Sequence, residues 1–387
     1  MQSTFWSLGF RPFFLAAGAW ACLAMAAWIG VLLGWPAPPT HFPPGIWHAH
    51  EMIFGYAAAA IAGFALTAVP EWTSRPALRG GALAGLFVLW IVGRLAVAGS
   101  ALTGPLAAAV ADCAFLLVLA AFVAREVVVS GNRRNLVVPL AFAVLFCANV
   151  MVHVGGGWEG PGLRLGLAVI VLLIALIGGR ITPAFTGNWL KRRGADSLPA
   201  AQGPIDIVAL LAGAIALAAW FAVPDHAATA ILLIAAGALH AIRLARWRGL
   251  DTGAEALVWI LHLGYAWVPV GLIALGAAHW ISALAGGAAV HALATGAVGT
   301  MTIAVMTRAT LGHSGRELTA GGATIAAYLL VLAAGVLRVA AAFGAGLEMP
   351  MILAAGGCWI AGFGLFVIVY APMHLGIGGT EEHPAHG

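Results

Sequence analysis

The sequence predicts an all-α protein embedded in a lipid bilayer, with about twelve transmembrane helices in one integral membrane domain (residues 1–387). Three observations support this fold class. Of the 387 residues, 62% are hydrophobic and only 8% are charged, whereas soluble domains average about 25% charged residues. Apolar segments of about 20 residues, long enough to cross a bilayer as a helix, recur along the chain. Basic residues cluster in alternate connections between these segments.

The apolar segments are separated by short polar or turn-forming clusters. The first six lie near residues 12–34, 48–69, 81–99, 105–128, 136–154 and 163–182. The second six lie near residues 204–223, 227–246, 255–276, 283–306, 320–343 and 350–371. Each segment is long enough to span the hydrocarbon core once, so the sequence predicts a bundle of membrane helices.

Basic residues mark one side of the predicted bundle. They cluster at Arg75/Arg79, Arg125/Arg133/Arg134, Lys191/Arg192/Arg193, Arg243/Arg246/Arg248 and Arg308/Arg316. Because cytoplasmic loops are enriched in Lys and Arg, these connections and both chain termini are expected in the cytoplasm. Arg11 is the only charged residue before residue 50. The first helix therefore lacks the basic region of a cleaved signal peptide and is expected to be retained.

Composition and motif searches exclude several classes of protein. The 18 Lys and Arg residues are too dilute along the chain for a nucleic-acid-binding surface. The four cysteines lie far apart without a C-x-x-C pattern, which argues against a disulfide framework, a zinc ribbon and covalently attached haem. No P-loop, dinucleotide fingerprint, H-E-x-x-H motif or G-x-S-x-G elbow occurs. These observations do not argue against a cofactor that is bound without a covalent bond.

Weak internal similarity predicts three tandem four-helix units, residues 1–134, 135–250 and 251–387. The matching positions in the first and third units are Arg94 with Arg338, Cys113 with Cys358, and His50 with His291. A fainter copy in the middle unit matches the Thr-Pro-Trp pattern at the end of the second helix. Since four is an even number of spans, all three units have the same orientation in the membrane.

Histidines carry most of the functional information, because an ionisable group at membrane depth is costly unless paired or solvated. The chain has 13 of them, and imidazole is a common ligand of iron and copper. In the predicted orientation, the outer side holds His48, His50, His153, His279 and His291. The inner side holds His240, His262, His313 and His374, and the acidic tail holds His383 and His386. Two opposed clusters indicate two sites.

The outer cluster begins with His48, His50 and Glu51 at the start of the second segment. On a regular helix the two imidazoles point about 200° apart, so either this segment is not helical or they serve different partners. Glu51 is either a proton relay or a solvated residue at a helix start. His153 ends the fifth segment, and His291 lies about 12 Å inside the tenth. The alternative for each histidine is an interfacial residue in contact with water.

The inner histidines allow more than one interpretation. His262 lies about 10 Å inside the inner face, deep enough to ligate a buried haem. His313 lies in a Gly-rich loop and is a ligand, a switch residue or a turn residue. His240 precedes a basic helix end, where interaction with the negative helix terminus is a sufficient explanation.

Two arginines interrupt the apolar segments at equivalent outer positions. A buried guanidinium needs an anion, and no acidic residue in the same segments is an obvious partner of Arg94 or Arg338. Haem propionates would supply that anion, so both arginines are candidate cofactor-binding residues. The alternative is that each side chain extends to the outer lipid headgroups.

Several strings, in this order and at these spacings, resemble the NnrS family of bacterial membrane proteins. They are Ser7–Phe14, Trp47–Gly55, Ala68–Thr73, Leu261–Tyr265, His291, Met306–Arg308 and Leu311–Arg316, and they span most of the chain. The chain departs from the expected pattern at Glu71, where Asn is common, and at Ser314, where Thr is common.

The resemblance implies a haem- and copper-containing protein of the bacterial cytoplasmic (inner) membrane, linked to nitric oxide metabolism, denitrification and relief of nitrosative stress. Carried onto this chain, the family's histidine motifs imply His48, His50, His262, His291 and His313 as metal ligands. His153 is added from its position. The reaction, its catalytic residues and the electron donor stay unassigned.

We therefore expect a membrane protein with one or two haem b groups, and copper as implied by the resemblance, that binds nitric oxide and converts it as an oxidoreductase. The first alternative is a haem protein that senses or sequesters nitric oxide without turnover. The second alternative is a small-molecule transporter, which the tandem repeats and the Gly-rich segments favour.

Overall fold

The computed structural model describes residues 4–285 and 287–377. Within these residues twelve helices are long and apolar enough to cross a membrane, and no strand occurs. The first six are α1 (Phe10–Leu32), α2 (Pro44–Thr73), α3 (Gly80–Ala98), α4 (Pro105–Val129), α5 (Arg133–Val154) and α6 (Glu159–Arg192). The second six are α7 (Pro204–Ala222), α8 (Ala227–Ala245), α9 (Ala256–Ala277), α10 (Ala288–His313), α11 (Gly322–Phe343) and α12 (Glu348–His374). The predicted fold class is confirmed; His383 and His386 lie outside the described residues.

Three helices end at least four residues beyond the ends that the apolar pattern predicts. Helix α2 continues to Thr73 and α6 to Arg192, whereas the predicted ends are residues 69 and 182. Helix α10 continues to His313 instead of ending near residue 306. The added turns contain polar residues, so hydropathy alone places them outside the membrane. Side chains in these turns, such as Thr73, Thr186 and Leu311, are buried inside the bundle, which supports the helical conformation.

The helices pack in a pattern that repeats every four helices. The third and fourth helices of each group pack together, as α3 with α4, α7 with α8 and α11 with α12. Each fourth helix then packs against the next first helix, as α4 with α5, α8 with α9, and α12 back onto α1. The second helices, α2, α6 and α10, are mostly buried inside this ring. The boundaries of the three units stay a prediction. The packing repeats every four helices, as units of four helices would require.

Each of the three inner second helices contains a π-helical segment, at Glu51–Ala57, Ile174–Gly178 and Ala292–Gly299. Such segments are rare and occur frequently at functional sites. Side chains from other helices hydrogen-bond backbone carbonyls in two of them. Trp90 Nε1 donates to the Gly55 carbonyl at 3.1 Å, and the Arg243 guanidinium donates to the Ala175 carbonyl at 2.7 Å. Neighbouring helices therefore provide hydrogen bonds to the π-helical segments of α2 and α6.

Close packing between α5 and α6 predicts different effects of Gly→Ala substitutions at two glycines. A Cβ at Gly162 of α6 would lie 2.7 Å from the Ala148 carbonyl oxygen of α5, whereas a Cβ at Gly85 of α3 would meet nothing within 4 Å. We expect Gly162→Ala to lower the free energy of unfolding by about 1–3 kcal/mol, because the helices must separate. Gly85→Ala, the control, is expected to leave stability unchanged or raise it by up to about 1 kcal/mol. Unfolding in detergent micelles measures both, and equal stability of the two variants would contradict the packing described.

Candidate functional site

Two polar features lie at one end of the bundle, where the odd-numbered helices finish and the even-numbered helices begin. We call this the outer end, after the predicted orientation, which itself stays a prediction. One feature is a buried network of ionisable side chains on α2, α3, α4 and α5. The other is a cavity between α1, α2, α6, α10, α11 and α12.

The centre of the network is Arg94 of α3, whose side chain is 2% exposed. Its guanidinium donates to both carboxylate oxygens of Glu51 at 2.8 Å and also contacts the Asp112 carboxylate. Arg94 therefore has two anionic partners, both from other helices, and does not require an anion from outside the chain. Glu51 is fully buried, so its interpretation as a solvated residue at a helix start is wrong.

Two histidines and an amide complete the network. His50 Nδ1 lies 3.0 Å from Glu51 Oε1, and its Nε2 lies 2.9 Å from Asn149 Oδ1. The same Nε2 is 3.1 Å from Asp112 Oδ2. His153 Nε2 lies 2.9 Å from that Asp112 oxygen, to which Asn149 Nδ2 also donates at 2.8 Å. One ligand atom each from His50, Asp112 and His153 lie within 4.8 Å of one another, which is the spacing of a metal-binding group.

The network is closed on one side and reaches the surface on the other. On the closed side, Trp20 Nε1 donates to Glu51 Oε2 at 2.7 Å. Toward the surface, the ring of His41 lies 6.2 Å from that of His153, in the half-buried connection between α1 and α2. Partial burial, together with the His153 and His50 imidazoles, lowers the pKa of His41 below its ordinary value. His41 is therefore mainly neutral at neutral pH.

The cavity has a volume of about 330 Å³. Its wall is mostly apolar and includes the rings of Trp28 and Trp359. Polar groups reach it from three sides, as His48 of α2, His291 of α10 and Arg338 of α11. A concave, mainly apolar site with a few convergent polar groups is typical of small-molecule and cofactor sites.

The two cavity histidines are held in defined orientations. The ring of His48 stacks on Trp28, with centroids 4.6 Å apart and planes at 12°, and its Nδ1 is buried without a hydrogen-bond partner in the described chain. His291 Nδ1 lies 2.7 Å from the Gly287 carbonyl oxygen, to which it must donate. In neutral His291 the Nε2 atom therefore carries the free lone pair, which is the state that binds a metal.

Arg338 differs from Arg94 in its surroundings. It is half-buried against the cavity, and residues 4–285 and 287–377 provide it with no hydrogen bond or ion pair. An arginine at membrane depth is costly without an anion. The cavity therefore carries a cationic group that is available to an anionic ligand.

The remaining predicted ligands lie at the opposite, inner end. His262 Nε2 is 2.8 Å from Thr186 Oγ, which itself donates to the Thr182 carbonyl. His262 therefore donates through Nε2, and its Nδ1 is buried without a partner in the described chain. His313 is not in a loop as predicted; it is the exposed last residue of α10, because the helix continues through Thr300–His313. The structure thus separates the six predicted histidines into three places.

Sequence analysis did not identify all residues of the outer end. Asp112 and Asn149 are central to the network, yet neither was singled out. A search for acidic residues in the segments neighbouring Arg94, instead of in its own segment, would have found Asp112. Asn149 carries no distinguishing signal in the sequence. Of the two alternatives for His48 and His50, the structure has the second: the segment is helical and the two side chains serve different partners. His48 lines the cavity, and His50 belongs to the network.

Fold and site together define a multi-pass helical membrane protein with an imidazole- and guanidinium-lined cavity at one end of its bundle. The chain belongs to the NnrS family: the family model, described as NnrS protein, matches residues 4–376 of the 387. This confirms the resemblance carried by the sequence strings. No curated protein matches the chain.

The ion pairs of the network predict that removing the Arg94 guanidinium lowers the free energy of unfolding strongly. Arg94→Met leaves Glu51 and Asp112 buried without a counter-charge, so we expect a loss of about 3–5 kcal/mol in the free energy of unfolding. Arg248→Met is the matched control, because the Arg248–Asp251 pair is 44% and 40% exposed and is expected to contribute less than about 1 kcal/mol. Unfolding in detergent micelles compares the two. A small effect of Arg94→Met would show that the network does not stabilise the fold.

Proposed function

We propose that this protein binds haem b in the outer cavity and acts there on nitric oxide, as an oxidoreductase of the bacterial cytoplasmic membrane that relieves nitrosative stress. The observation that carries the proposal is the cavity itself, which combines two oriented imidazoles with an arginine that has no partner among residues 4–285 and 287–377. Membership of the NnrS family supports the link to nitric oxide. Orientation with both termini in the cytoplasm is part of the proposal.

The residues of the cavity fit haem b, which has a flat apolar ring system, a metal that takes imidazole ligands and two carboxylates. His48 and His291 would be the iron ligands, and the unsatisfied Nδ1 of His48 supports a missing partner at this position. Arg338 would bind a propionate through charge-assisted hydrogen bonds. The stacked Trp28 and the apolar wall would cover the ring and exclude water.

The predicted repeat supports a special role for the third unit. His50 and His291 are equivalent, and each directly precedes a π-helical segment. The carboxylate of Glu51 is replaced by the methyl group of Ala292 in the third unit. The position equivalent to Asp112 falls at the Gly356-Gly357 pair, depending on whether the arginine or the cysteine is aligned. Without these two carboxylates, Arg338 stays available to a ligand and space remains beside it.

Apolar surroundings suit a small, uncharged substrate that partitions into the bilayer. A second pocket, of about 80 Å³, lies between the inner halves of α2, α6 and α10 and has an almost wholly apolar wall. It shares Ile170 with the outer cavity. Tyr56 of the cavity also hydrogen-bonds Thr302 of this pocket. These contacts support a route for nitric oxide from lipid to the cavity, where a haem iron would supply the redox chemistry.

The proposal also includes the other cofactors that the family resemblance and the two histidine clusters imply. A second haem b would use His262, whose buried Nδ1 has no partner in the described chain. Copper is included on the strength of the family. Among the predicted ligands, the exposed His313 has the weakest support as a ligand of a buried cofactor.

Optical spectra of variants test the haem site. We expect His48→Ala and His291→Ala each to lose or shift a Soret band, because each removes an iron ligand. Arg338→Met should keep the band position but bind haem about tenfold more weakly or worse, since it removes a charge-assisted hydrogen bond. His279→Ala, at an exposed site, is the control. Unchanged spectra in both cavity histidine variants would reject the outer cavity as the haem site.

Anaerobic nitric oxide consumption tests turnover. With a chemical reductant, we expect the purified protein to consume more nitric oxide than it contains haem, which a sensor or sink cannot do. Consumption that stops at the amount of haem would favour the sink. Absence of any Soret band after expression with sufficient haem would reject both haem functions and leave the transporter.

A further inference from the structure

We propose that His50, Asp112 and His153 form a mononuclear transition-metal site, separate from the haem cavity. The ligand set is two imidazole nitrogens and one carboxylate oxygen, supplied by α2, α4 and α5. The proposed function includes copper without naming its ligands, and this proposal names ligands for a metal ion; it requires neither haem nor nitric oxide. It names the carboxylate ligand and the supporting residues that sequence analysis did not find.

The three ligand atoms already converge. Asp112 Oδ2 lies 3.1 Å from His50 Nε2 and 2.9 Å from His153 Nε2. Ligands bound at about 2.0–2.2 Å from a metal lie only slightly farther apart than this. The three side chains are at most 2% exposed, so small movements within a buried cluster would admit an ion.

The hydrogen bonds around His50 direct the lone pair of its Nε2 atom toward Asp112. Its Nδ1 faces Glu51 Oε1, a carboxylate acceptor, so Nδ1 carries the proton and neutral His50 has its lone pair on Nε2. A carboxylate on the distal nitrogen is the usual support of a metal-bound histidine. Asn149 donates through Nδ2 to Asp112, which turns its Oδ1 toward His50. His50 Nε2 therefore faces two oxygen acceptors, an arrangement that either a proton on Nε2 or a metal ion would satisfy.

The charge count of the network also favours an additional positive charge. Glu51 and Asp112 contribute two negative charges, and Arg94 contributes one positive charge. With neutral histidines, the buried network keeps one excess negative charge, which is unfavourable at membrane depth. A metal ion at the three ligand atoms would offset this charge.

The donor set indicates the class of metal. Imidazole with carboxylate suits Fe²⁺, Cu²⁺ and Zn²⁺, whereas Mg²⁺ and Ca²⁺ prefer all-oxygen sites. Phe42 packs on both rings, at 5.3 Å from His50 and 5.2 Å from His153, and shields the site. The half-buried His41 beside His153 gives a path from the surface.

The test is metal binding by the purified full-length protein after treatment with a chelator, using Cu²⁺ as the probe. Cu²⁺ binds imidazole strongly and reports nitrogen ligands by electron paramagnetic resonance. His383 and His386 are both replaced by Gln in every sample to remove binding by the tail. We expect about one tightly held Cu²⁺ per chain, with nitrogen hyperfine coupling, measured by mass spectrometry and resonance after gel filtration.

Two variants and a control locate the ion. His153→Gln keeps a polar contact with Asp112 but removes a ligand, and we expect at least tenfold weaker Cu²⁺ binding. Asp112→Asn should weaken binding further; because it also removes a partner of Arg94, its fold is checked by circular dichroism and gel filtration. His279→Gln, at an exposed position, should bind as the parent does.

Two results would overturn the proposal. One is a folded parent protein that retains no Cu²⁺, which would make the compensating cation a proton on His50. The other is full Cu²⁺ binding by His153→Gln. The Soret band is recorded in the same samples, so failure of the metal site is distinguishable from failure of the haem proposal.

Discussion

The outer end of this protein is organised by the need to neutralise charge inside an apolar bundle. Arg94 cannot be solvated where it lies, and it binds carboxylates from α2 and α4. Those carboxylates in turn contact His50 of α2 and His153 of α5, so four helices are tied together through one guanidinium. The same constraint acts at the other end of the bundle. There Arg243 binds Asp206 of α7 at 2.8 Å and the Ala175 carbonyl of α6 at 2.7 Å.

Arg94 and Arg243 are both neutralised by carboxylates, and Arg338 differs from them within the part of the chain that the structure describes. In the predicted repeat it is equivalent to Arg94, but it lines a cavity and pairs with no carboxylate of the described residues. His50 and His291, at equivalent positions of two helices, thus belong to two different kinds of site. The network around Arg94 is acidic and suits a metal ion, whereas the cavity beside Arg338 is cationic and suits an anionic cofactor. In both, a π-helical segment directly follows the histidine.

Sequence was sufficient for some features of this molecule. Apolar length predicts the twelve helices, because crossing a bilayer imposes a minimum number of residues on each. Helical geometry also predicts that His48 and His50 diverge. The family follows from strings such as Trp47–Gly55 and Leu311–Arg316, and the family match confirms it.

Other features depend on contacts between helices, which a single sequence does not encode locally. The inner turns of α2 and α6 are polar, and only their packing against other helices explains why they stay helical. Both carboxylate partners of Arg94 lie on other helices, so a search within its own segment misses Asp112. The same limit applies to Arg338: its sequence neighbourhood resembles that of Arg94, and only the three-dimensional surroundings distinguish a neutralised arginine from an available one.

The central proposal is that the cavity between α1, α2, α6, α10, α11 and α12 would hold an anionic, iron-containing ring in contact with its imidazoles, separate from the Arg94 network. A density map of the protein purified with its cofactors tests this most directly. We expect flat density in the cavity, in contact with His48 or His291, with a carboxylate at Arg338. A map with lipid in this cavity and haem elsewhere, or with haem propionates at Arg94, would contradict the account.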